Sequence, residues 1–113
     1  MKKQSPFDEF DFLELFYEEM IRQGRKHNLI RITINKEIVE YIYEQKSHSA
    51  TEKEIEKLAD ICLANNWLEQ KTIGVGQYGN LQLTTTGLGV ITSKRRRKEI
   101  EDQKSILKKH LII

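Results

Sequence analysis

Cysteine, proline and long apolar runs are all scarce in this chain. Among its 113 residues there are one cysteine and one proline. A lone Cys62 rules out an internal disulfide and fits a reducing compartment, so a cytoplasmic protein is expected. No apolar run approaches the roughly 18 residues of a membrane span, which argues against a membrane protein. Lys2 and Lys3 could open a secretory signal, but Asp8, Glu9, Asp11 and Glu14 interrupt the apolar stretch that must follow. The three histidines, His27, His48 and His110, are scattered with no second ligand at i+3 or i+4 and no cysteine pair, so no metal site is expected. A net charge of +2 is too small to point to any partner.

What is present suits a single domain. Hydrophobic residues make up 38% and charged residues 32%, enough for one core under a well-charged surface across 1–113. The charges are unevenly distributed. Residues 1–20 set Lys2 and Lys3 against six acids, whereas residues 94–110 set eight Lys or Arg against Glu99, Glu101 and Asp102. The chain begins acidic and ends basic.

Ser5-Pro6-Phe7-Asp8 reads as a helix start, with Ser5 able to cap, Pro6 at the first helical position and Asp8 as a capping-box acid. Phe10, Leu13, Phe16, Tyr17, Met20 and Ile21 then recur at helical spacing up to Gly24, a natural stop. Phe7, Phe12 and Leu15 widen this stripe, so the helix is either central or meets another chain. Alternation in 29–34 predicts a short half-buried strand. Asn35 caps a second helix through about Lys46, with Ile38, Val39, Ile42 and Tyr43 facing inward. After a polar turn at 47–50, Thr51-x-x-Glu54 is a capping box for a third helix, with Ile55, Leu58, Ala59 and Cys62 inside. Asn65-Asn66 can end it. Two strand-like segments, 67–73 and 80–86, flank a glycine-rich stretch, and a last helix starts near 84–86 and runs into the basic tail.

Gly74, Gly76 and Gly79 share the G-x-G-x-x-G spacing of a dinucleotide fingerprint. That fingerprint needs a helix directly after the glycines, so that its N-terminus can hold the pyrophosphate. A strand-like segment follows instead. A protein-kinase glycine loop does lie between strands, but the chain has no room for the catalytic and metal-binding machinery of that fold. The expected structure is a hairpin with glycine at its tip.

The order of helix, strand, helix, helix, hairpin and closing helix resembles the winged helix-turn-helix superfamily over about residues 7–92, with 93–113 as a basic C-terminal helix or tail. Two short motifs carry the resemblance further. Asn66-Trp67-Leu68 stands where such proteins often have a glycine and two apolar residues, and Leu83-Thr84-x-x-Gly87 looks like the end of many wings. The fold class expected is mainly α with a small β-hairpin (α+β), extended at both ends by helices.

The resemblance implies double-stranded DNA as partner, with the third helix in the major groove and the wing on phosphates or the minor groove. The residues give mixed support. Lys53, Glu56, Lys57 and Asp60 share the outer face of the third helix, so its charge sums to zero and favours neither phosphates nor base readout. Other candidate contacts are Arg25 and Lys26 after the first helix, Lys71, Gln77 and Tyr78 at the wing, and Lys94, Arg95, Arg96 and Arg97 with Lys98 in the tail. The basic run reads equally as a solvated helix face, with pairs such as Lys98 and Asp102 at i+4. Few groups converge for chemistry, so neither an enzyme nor a cofactor is expected. Two functions remain open: a cytoplasmic DNA-binding transcriptional regulator, or a winged helix used for protein–protein interaction. A homodimer through the terminal helices is also expected, with Phe7, Phe12, Leu15, Leu107 and Leu111 at the interface.

Overall fold

The computed structural model describes residues 7–71 and 78–111, with side chains through Lys104. Among the described residues, four α-helices and three short strands follow in the order α1 (Glu9–Gln23), β1 (Arg31–Ile32), α2 (Lys36–Lys46), α3 (Glu52–Ala64), β2 (Leu68–Gln70), β3 (Leu81–Leu83) and α4 (Thr85–Leu111). The fold is mainly helical with one small antiparallel sheet in the order β1-β3-β2.

Local chemistry sets most boundaries. Asp8 caps α1 by accepting from Asp11 N, while the Asp11 carboxylate accepts from Asp8 N, both at 2.9 Å. The capping box therefore begins at Asp8, three residues later than a Ser5 cap; Ser5 and Pro6 lie outside the described residues. Gly24 ends α1 at φ 63°, a left-handed conformation that costs glycine little. Asn35 caps α2 through Ile38 N at 3.1 Å. Thr51 and Glu54 form the expected box on α3, and Asn66 follows it at φ 60°.

The strand expected over 29–34 is shorter. A 3-10 turn at His27–Leu29 takes up its first residue, leaving Arg31–Ile32 to pair with Gln82 and Leu81. Tyr43, expected inside, is 63% exposed, because α2 turns only Ile42 fully inward with Ile38 and Val39 half-buried.

The core lies beneath α1. Phe12, Leu13 and Phe16 are fully buried with Ile42, Ile55, Ala59, Cys62, Leu68, Leu81, Leu83 and Ile91. Burying each large side chain contributes about 1.5–3 kcal/mol. α1 meets α3, β3 and α4. This central position accounts for its wide apolar stripe, and it corrects two interface assignments. Phe12 is fully buried and Leu15 is 3% exposed in the single chain, so neither has surface to offer a second copy. Phe7 packs partly on the same core and stacks on His48 at 5.4 Å. The side chains of Leu107 and Leu111 lie outside the described residues.

The junction from β3 into α4 is tightly built. Thr84 N donates to Trp67 O at 3.0 Å, and Thr84 Oγ1 donates to Asn66 O at 2.6 Å while accepting from Gly87 N at 2.9 Å. Gly87 comes so close to this turn that an added Cβ would stand 2.1 Å from Trp67 O. The residues of both short motifs thus meet at one place. Beyond Ile91, α4 leaves the core, and positions 92–104 are all exposed.

Candidate nucleic-acid interface

α3 turns Ile55, Ala59 and Cys62 inward, which leaves Lys53, Lys57 and Asp60 exposed and Glu56 half-buried. Lys53 and Lys57 are one helical turn apart, and neither forms an ion pair within 4 Å among the described residues. Asp60 is engaged: Tyr78 Oη stands 3.0 Å from both of its carboxylate oxygens. That hydrogen bond, joined by partial burial, raises the phenol's pKa above its ordinary value. The ring of Tyr78 packs partly against the core. Tyr78 thus ties the segment entering β3 to α3, and its hydroxyl, named above as a candidate DNA contact, is engaged by Asp60.

The residues expected at the wing divide similarly. Lys71 Nζ lies 3.3 Å from Glu69 Oε1, a partly exposed pair on the same edge. Gln77, with Gly74 and Gly76, lies outside the described residues. After Gly79, which is described, the chain enters strand β3 rather than a helix. Arg25 and Lys26 are exposed beyond the α1 C-cap and form no ion pair within 4 Å among the described residues.

The run from Lys94 to Lys98 has two fates. Lys94 Nζ sits 4.3 Å over the Phe10 ring, which itself packs on Trp67 at 5.5 Å. Arg95 forms an ion pair with Glu14, and its guanidinium lies 4.5 Å over Tyr17. Together with Phe10, Glu14 and Lys94, Arg97 and Lys98 border a groove of about 580 Å³ between α1 and α4. Lys94 and Arg95 therefore fasten α4 to α1 and are no longer free candidates for phosphate contact. Arg96, Arg97 and Lys98 are exposed and form no ion pair within 4 Å among the described residues; the expected Lys98–Asp102 pair does not form.

The chain matches no family model, no curated protein and no solved structure.

Two observations bear on chemistry. Cys62 is buried, its thiol 3.7 Å from Glu9 O, and burial pushes its pKa up to about 12. At neutral pH it carries almost no thiolate, the form that attacks or ligates. Among the described residues no group of three or more His, Cys, Asp or Glu is arranged to hold a metal ion. No helix among them is long and apolar enough to cross a membrane.

Sequence reasoning missed Glu14 and Tyr17, which hold Arg95, and Asp60, which holds Tyr78. The acidic beginning and basic end were the one signal for the first pairing. Nothing in the spacing of 60 and 78 announces the second.

Proposed function

We propose that this chain is a winged-helix protein that binds double-stranded DNA as a cytoplasmic transcriptional regulator, without a cofactor and without catalysis of its own. The element order with a β1-β3-β2 sheet supports the winged-helix reading. The observation that carries the DNA reading is the exposed Arg96-Arg97-Lys98 run, without an ion pair among the described residues, on a helix that extends past the core. Such cations bind phosphates by releasing condensed counterions and need no base contact.

Lys53 and Lys57 supply what readout α3 offers, helped by the withdrawal of Asp60 into its bond with Tyr78. This points to binding dominated by the backbone, with modest sequence discrimination. Titrating salt against binding to a random duplex tests it. Affinity falls steeply as salt rises, with a log–log slope near −0.9 per phosphate contact. Absence of binding at low salt would leave the protein–protein interaction reading in its place.

A further inference from the structure

α2 carries a face that no other element covers among the described residues. Glu37, Glu40, Tyr41 and Glu44, at i, i+3, i+4 and i+7, are all exposed, and Tyr43 beside them is 63% exposed. None of the three glutamates forms an ion pair within 4 Å among the described residues. Like charges at i+3 and i+4 spacing weaken a helix in isolation, and exposed aromatic surface beside them is what an interface uses.

α4 presents the opposite problem. From 92 to 104 no residue is buried, and Ile100, next to the free run Arg96-Arg97-Lys98, is 44% exposed. A helix of this length owes most of its stability to packing, yet among the described residues this stretch meets α1 only through Lys94 and Arg95 and along the groove that Arg97 and Lys98 border. At 100° per residue Arg96, Arg97 and Ile100 share one side of α4 and match Glu37, Glu40, Tyr41 and Glu44 on one side of α2, with Lys98 and Tyr43 flanking. Glu37 to Glu44 spans about 10 Å of helix axis, and Arg96 to Ile100 about 6 Å. Within one chain no hydrogen bond, ion pair or ring contact joins α2 to α4 among the described residues. Both are held by α1, through Glu18 with Lys46 of α2 and through Glu14 and Tyr17 with Arg95 of α4.

We infer that the chain self-associates by seating the Arg96–Ile100 stretch of α4 from one copy on the Glu37–Glu44 face of α2 in a second copy. The occupant is assigned by charge complementarity, with tyrosine and isoleucine supplying apolar contact inside the polar frame. The α2 face offers the basic run what a phosphate backbone offers it, so a run seated on α2 is withheld from DNA. The inference does not depend on the DNA reading, because protein alone tests it.

Sedimentation equilibrium of the full chain decides it. At about 50 mM salt the mass rises above the 13.4 kDa of one chain as concentration reaches high micromolar, and it returns toward one chain at about 500 mM, where exposed pairs are screened. The reversals Glu37→Lys/Glu40→Lys/Glu44→Lys and Arg96→Glu/Arg97→Glu/Lys98→Glu each weaken association about tenfold or more. An equimolar mixture of the two variants, which restores opposite charges across the contact, regains the mass. Gln in place of the three glutamates gives the same loss, and circular dichroism verifies that each variant is folded. Wild-type protein that stays at one chain in low salt overturns the inference. So does a folded variant that associates as wild type, or a mixture that stays at one chain.

Discussion

Adding one methyl group at two neighbouring glycines of α4 should move stability in opposite directions. Alanine is favoured over glycine in a helix interior by about 0.8–1 kcal/mol. At Gly89 nothing lies within 4 Å of the added Cβ, so Gly89→Ala should stabilise by about 0.5–1 kcal/mol. At Gly87 the same Cβ would stand 2.1 Å from Trp67 O and 2.9 Å from Leu83 Cδ1. The leucine can rotate away, but the carbonyl cannot, because it accepts from Thr84 N at 3.0 Å. Relief requires α4 to move off the sheet, breaking the Thr84 cap as it goes. Overpacking of this kind costs about 1–3 kcal/mol or more. Set against a propensity gain reduced by its place in the first turn, this leaves Gly87→Ala about 2 kcal/mol less stable than wild type. Urea unfolding followed by helical circular dichroism and by Trp67 fluorescence would measure both. The Tm of Gly87→Ala should fall by roughly 8 °C, at the lower end of the conversion for small domains. A Gly87→Ala protein as stable as wild type would refute the close approach and the junction built on it.

Three other outcomes follow from single sites. Cys62, buried with its thiol pushed up to about 12, should resist an aromatic disulfide reagent in the native protein near pH 8 and react fully once unfolded; rapid native labelling would place it elsewhere. Donation from Thr51 holds the Glu54 carboxyl below its ordinary value. Its contribution is therefore present above the unfolded pKa and is lost as pH falls through the folded one. The stability gap between wild type and Glu54→Gln should shrink between about pH 7 and pH 3, and a gap unchanged by acid would count against the charged cap. Gln82 is 3% exposed, with Nε2 at 3.4 Å from Glu69 Oε1 and, among the described residues, no partner for its own Oε1. Since an orphaned buried acceptor carries a penalty of about 1–3 kcal/mol, Gln82→Leu should be neutral or stabilising in urea melts; a large loss would mean that the amide is satisfied.

Much of the architecture was legible because it is encoded locally. Gly24, Asn35, Thr51 with Glu54, and Asn66 each act through their own backbone or a neighbour three residues away, so sequence spacing suffices to find them. The expected strand shrank because a 3-10 turn competes for its first residue, and neither choice dominates in so short an alternation. The candidate interface was read less well, since its membership depends on distant partners. Lys94 and Arg95 look identical to Arg96 and Arg97 in a run of cations, and only the position of Phe10, Glu14 and Tyr17 on α1 separates them. Phe12 and Leu15 looked surplus because one stripe of about 100° covers a helix with a single neighbour, whereas α1 is enclosed on several sides.

The central claim is that Arg96, Arg97 and Lys98, which form no ion pair among the described residues, meet DNA phosphates, and that Lys94 and Arg95, which fasten α4 to α1, do not. Fluorescence anisotropy of a labelled random duplex, titrated at several salt concentrations, measures it directly. Replacing Arg96, Arg97 and Lys98 together by Ala should flatten the log–log salt slope by about 0.9 for each phosphate no longer neutralised, while Arg95→Ala leaves the slope as in wild type. A triple variant with the wild-type slope and affinity, or an Arg95→Ala protein that loses as much as the triple, would contradict the account.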